Sequence, residues 1–152
     1  MKRIILPGIL LFISIVGNAQ TSNPNFDKAL ADSLGANEFG MKAYVLVILK
    51  TGTNTSLSKT ASDSLFSGHM KNITRLAEEG KLVVSGPMKK NDKAYRGIFI
   101  LNVPAIEDAK SLMDHDPAIT GKLLDVEYFQ WFGSAALPMY LQFHNRIEKT
   151  SM

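Results

Sequence analysis

Residues 43–49, AYVLVIL, are an unbroken apolar run rich in β-branched side chains. A run this short and this apolar reads as a β-strand buried on both faces rather than as a helix. The constraint is severe, because a sheet built around such a strand has no face to leave to water. Helices must cover one side, and something further must cover the other.

The segments downstream supply the helices. The polar stretch TGTNTSLSK at residues 51–59 leads into a helix expected from about Ser62 to Glu79, with Thr60 or Ser62 as its N-cap and Gly80 as its C-cap. Leu65, Phe66, His69, Ile73, Leu76 and Ala77 follow a helical period there, so the helix has one apolar face and His69 lies on it. KLVVS at residues 81–85, closed by Gly86-Pro87, pairs as a hairpin with residues 95–103 across a polar turn. Pro104 opens a second helix with Ala105, Ile106, Ala109, Leu112 and Met113 as its stripe. Asp116-Pro117 starts a further helical turn that ends near Gly121, and LLDVEYFQWF at residues 123–132 reads as a fourth strand.

The order strand, helix, strand, strand, helix, strand is that of a ferredoxin-like βαββαβ domain of the α+β class, here residues 43–132. Its two helices cover one face of the sheet. The second face is left to a second copy, packed sheet to sheet about a two-fold axis, or to residues 133–152, which carry Leu137, Met139, Tyr140, Leu141, Phe143 and Ile147. The expectation is a homodimer.

Ahead of the domain, Lys2 and Arg3 precede an apolar run at residues 4–16 and the small-residue stretch Gly17-Asn18-Ala19. This is the layout of a cleavable signal peptide, residues 1–19, and the run is too short for a stable membrane anchor, which needs roughly 20 apolar residues. Export, to a periplasm or beyond, is therefore expected. Residues 20–42 read as an extension with a short helix on Phe26, Leu30 and Leu34, Pro24 in its first turn and Gly35 as its cap. Without Lys2 and Arg3 the count of basic residues falls from 17 to 15 against 14 acidic ones, a formal charge of +1. With no block of Lys or Arg, that balance argues against nucleic acid as a partner. The chain has no cysteine, so disulfides, thiolate chemistry and Cys-based metal sites are excluded.

His69 on the first helix, Gly86-Pro87 closing the second strand, Asp116-Pro117 after the second helix, Gly80, and a last strand ending at Trp131 stand in an ordered set. In that set the chain resembles the YCII-related family over residues 41–132. The resemblance implies a dimeric α+β barrel, a cleft beside the sheet, and a His69–Asp116 pair within it. A carboxylate that accepts from one imidazole nitrogen fixes the tautomer and frees the other nitrogen as a general base. Each residue also has a plainer reading. A histidine on an apolar helix face is commonly a core residue hydrogen-bonded to backbone, and Asp before Pro is an N-cap followed by a first-turn proline.

Other candidates are few. Arg96, at the start of the third strand, is placed to hold a carboxylate or phenolate, or else is a solvated strand-end cation. Tyr44, Tyr128 and Trp131 are aromatics for lining the cleft, although strand aromatics commonly just pack. Asp114-His115-Asp116 is not read as a metal site, since neighbouring helix-end residues point apart and three or four converging ligands are required. Neither GxGxxG nor GxxxxGK[ST] occurs, and no cofactor is implied. Three functions remain open: an enzyme using His69 as base on a small cyclic or phenolic molecule, a small-ligand binder, and a structural dimer.

Overall fold

The computed structural model describes residues 23–149; the leader expected at residues 1–19 lies outside them. Four strands and five α-helices follow in the order α1 (Lys28–Leu34), β1 (Met41–Thr51), α2 (Lys59–Glu78), β2 (Leu82–Pro87), β3 (Tyr95–Leu101), α3 (Ile106–Met113), α4 (Pro117–Thr120), β4 (Leu124–Ser134) and α5 (Leu141–Ile147). A short 3-10 turn, Leu137–Tyr140, leads into α5. The sheet order is β2-β3-β1-β4 with every neighbour antiparallel, which is the ferredoxin-like α+β arrangement.

The apolar run sits at the centre of the sheet, as its composition demands. Val45, Val47 and Leu49 face the helices and pack with Phe99 and Leu101 of β3, Leu76 of α2, and Ala109 and Met113 of α3. Burying Phe99, with 1 % of its surface exposed, is worth about 2–3 kcal/mol. The alternate residues, Tyr44, Leu46 and Ile48, lie on the opposite face, in register with Trp131, Phe129 and Glu127 of β4. Ile98 and Ile100 of β3 complete that face beside Ile48 and Leu46.

Helix starts differ from the sequence expectation. Ser58, not Thr60 or Ser62, caps α2: its backbone is extended and its hydroxyl accepts from the Ala61 N–H. Asp27 caps α1 by accepting from Leu30 N–H, which leaves Pro24 outside the helix. Gly35 supplies the left-handed C-cap, at φ 69°, but α1 buries none of its residues. Pro104 also precedes its helix, which begins at Ile106 with no side-chain cap.

The tail leaves β4 at one edge of the sheet and reaches β2 at the other. The Tyr44 hydroxyl donates to the Ser134 carbonyl at 2.8 Å, and the Tyr140 hydroxyl donates to the Val83 carbonyl. Tyr140, Leu141 and His144 then border a cavity of about 630 Å³ against α2 and β2. Leu46, Ile48, Ile98 and Ile100 stay half-buried and Phe129 is 46 % exposed, so the described part of the tail leaves the helix-free face partly open.

Candidate functional site

His69 reaches its place through the stripe of α2. The buried residues of this helix are His69, Asn72 and Leu76, spaced three and four apart, so they share one face and look inward. Gly68 sets how closely that face approaches α4, because a Cβ there would lie 2.7 Å from the Pro117 Cγ atom. The helix backbone therefore rests against the proline ring, and the residue before that proline is brought to the imidazole.

That residue is Asp116. It is the N-cap of α4, with extended backbone at φ −89° and ψ 115°, and its Oδ1 accepts from the Ala118 N–H at 2.9 Å. Its Oδ2 accepts from His69 Nδ1 at 2.7 Å and from the Asn72 side-chain amide at 3.0 Å. The carboxylate is fully buried and His69 is 4 % exposed. The plainer reading of Asp116 as a helix cap thus coexists with the paired one, while the His69 ring bonds to that side chain and not to backbone. One oxygen caps a helix while the other holds an imidazole.

Burial alone would push the Asp116 carboxyl up. The hydrogen bond and charge of the His69 imidazole, then the Asn72 amide and the Ala118 N–H, outweigh it and hold the carboxyl below the ordinary aspartate range. A carboxylate kept ionised must receive a proton-bearing nitrogen, so His69 Nδ1 is the donor. Among the described residues Nε2 has no hydrogen-bond partner, yet no buried side-chain polar atom there lacks one, so Nε2 is open to the adjoining space.

That space is a cleft of about 1040 Å³ between α2 and the hairpin of β2 and β3. The His69 ring stacks on Phe99 at 5.8 Å between centroids and 20° between planes, with Phe66 tilted against it at the same distance. Met70, Ile73, Leu49 and Leu124 extend the apolar lining. The ionisable lining residues are His69, Lys90 and Arg96. Arg96 sits where the register slips, with Lys50 opposite Tyr95 and Leu49 opposite Gly97, and such a bulge re-aims side chains.

Tyr44 and Trp131 are not brought to this cleft. They face each other on the helix-free side of the sheet, rings 5.6 Å apart, and Tyr44 is fully buried there. The physical reason is parity: Val45, not Tyr44, belongs to the helix-facing set of β1. Tyr128 does face the helices, but it packs against the core, and burial with the carboxylates of Asp114, Asp125 and Asp116 pushes its phenol up to about 12. His115 lies apart from Asp116, its Nδ1 at 2.9 Å from the Ser111 carbonyl oxygen. Among the described residues no group of three or more His, Asp or Glu is placed to hold a metal.

Sequence reading missed Asn72. Its signal was a polar residue three positions after His69, at a spacing that places both on one helix face. The amide is oriented by Arg75, which donates to the Asn72 Oδ1 at 2.7 Å and to Glu79 at 2.8 Å.

A ferredoxin-like α+β domain with a buried imidazole–carboxylate pair opening on an apolar cleft defines the class of protein. The YCII-related domain model matches residues 44–132, more than half of the 152-residue chain, and the chain belongs to that family. No curated protein matches it.

Proposed function

We propose that the protein is a small enzyme in which His69 acts as general base, oriented by Asp116, on a small cyclic or phenolic molecule held in the cleft. The observation that carries this reading is the free Nε2 of a histidine whose other nitrogen is held at 2.7 Å by a buried carboxylate. Proton abstraction followed by elimination or isomerisation needs only such a base and an apolar enclosure. Phe66 and Phe99 beside the imidazole suit a flat ring, and Arg96 and Lys90 at the cleft suit an anion that forms on it. No cofactor is called for by this chemistry.

The test is a screen of phenolic and cyclic compounds for turnover by the wild type and by His69→Ala. We expect turnover to be lost in the variant while circular dichroism shows the fold retained. If a turned-over compound is processed equally well without the imidazole, His69 is not the base.

One observation favours a second reading, a binder that does no chemistry. Among the described residues that line the cleft there is no carboxylic acid or second histidine to return a proton to a leaving group. In that case a compound found by thermal shift would bind wild type without being consumed, and His69→Ala would weaken its binding. The partly open sheet face supports the accompanying proposal of a homodimer, paired face to face over Leu46, Ile48, Ile98, Ile100 and Phe129.

A further inference from the structure

A buried carboxylate needs donors, and the identity of those donors decides what the imidazole beside it does. Were His69 its sole partner, Asp116 would lean on a protonated imidazole, and a permanently protonated histidine accepts nothing. The structure shows a different arrangement. Asp116 receives two neutral donors besides His69: the Ala118 N–H on Oδ1 and the Asn72 amide on Oδ2. Asn72 donates to the same oxygen as His69, so it draws on the same negative charge.

We propose that Asn72 is a positioning residue of this site: by sharing the Asp116 Oδ2 oxygen it supports the carboxylate charge with a neutral donor and leaves the imidazole free to give up its second proton. The inference rests on the reading of His69 as a base and names what keeps it one. Asn72 does not line the cleft; it is 5 % exposed and acts through Asp116. Its orientation is fixed from outside. Arg75 donates to Oδ1, so the NH₂ group turns to the carboxylate, and Arg75 is itself held by Glu79. The chain of contacts runs Glu79, Arg75, Asn72, Asp116, His69, from the exposed side of α2 to the cleft. Other charged or titratable groups among the described residues that face this region are Tyr128, whose phenol feels the charges of Asp114, Asp125 and Asp116, and Lys90 and Arg96 across the cleft.

The signs of two substitutions are opposite, which makes the inference testable. Asp116→Asn removes the negative charge from His69, so the His69 titration midpoint moves down. Asn72→Ala removes a competing donor, so Asp116 leans harder on His69 and the midpoint moves up.

The experiment is NMR titration of the His69 ring in wild type, Asp116→Asn and Asn72→Ala, with ring ¹⁵N shifts reporting the tautomer. We expect the wild type to hold the proton on Nδ1, the first variant to shift down and the second up. A His69 that responds to Asp116→Asn but not to Asn72→Ala, or moves down in both, overturns the role of Asn72 and leaves the base reading standing. A His69 indifferent to Asp116→Asn overturns both. Should Asn72→Ala not fold, the wild type still decides. The Asn72 side-chain amide resonances must move with the His69 midpoint, and resonances flat through that range overturn the inference.

Discussion

Asp116 is the residue on which the site and the local fold converge, since its two oxygens serve a helix cap and an imidazole at once. Its carboxyl is held below the ordinary aspartate value, so its contribution to stability is complete above the unfolded value of roughly 3.9 and is lost as the pH falls through the lower folded value. We therefore expect the unfolding free energy to decline as the pH drops below roughly 4, and Asp116→Asn to flatten that decline. Urea unfolding at a series of pH values checks it; equal acid slopes in the two proteins would contradict it. His69 was legible on its own as a histidine on an apolar stripe and Asp116 as a residue before a proline, but their pairing was implied only by the resemblance to the YCII-related family. Asn72 was not, because an asparagine among apolar residues is neutral in every periodicity count, and what makes it matter is a hydrogen bond across 44 positions. Tyr44 and Trp131 were misplaced for a different reason: a run apolar on both faces gives no sign of which parity meets the helices.

At the level of elements, the pair exists because α2 and α4 touch through Gly68 and Pro117. Gly68→Ala would gain helix propensity in α2 yet thrust a methyl group to 2.7 Å from a ring that cannot bend away. The second effect outweighs the first, and we expect a net loss of about 1–2 kcal/mol in thermal unfolding. The same displacement lengthens the His69–Asp116 bond, so the downfield Nδ1 proton resonance should weaken. A variant as stable as wild type, with that resonance unchanged, would show that the contact yields. Element order and type were readable from periodicity, from AYVLVIL through LLDVEYFQWF. The boundaries were less so. Ser58, Thr60 and Ser62 are equally good caps on paper, and the choice of Ser58 follows from where the loop out of β1 delivers its backbone.

For the molecule as a whole, the sheet has one face packed under helices and one that keeps Phe129 46 % exposed beside half-buried Leu46, Ile48, Ile98 and Ile100. If two copies meet there, Phe129→Asp puts a charge into the contact while costing the single chain little, because that side chain is already half in water. We expect wild type to sediment as a dimer at micromolar concentration and this variant as a monomer; a monomeric wild type would remove the proposal. The second sheet face was foreseeable from one strand's composition, while the route of the tail was not, since its apolar residues fit several surfaces equally. That route has an effect on how copies of the chain meet. With the Tyr140 hydroxyl on the Val83 carbonyl, the outer margin of β2 already has an acceptor occupied, and α5 stands alongside it. A newcomer strand arriving at that margin would have to displace the tail before it could zip on. Growth by adding strand after strand is thus obstructed at that margin.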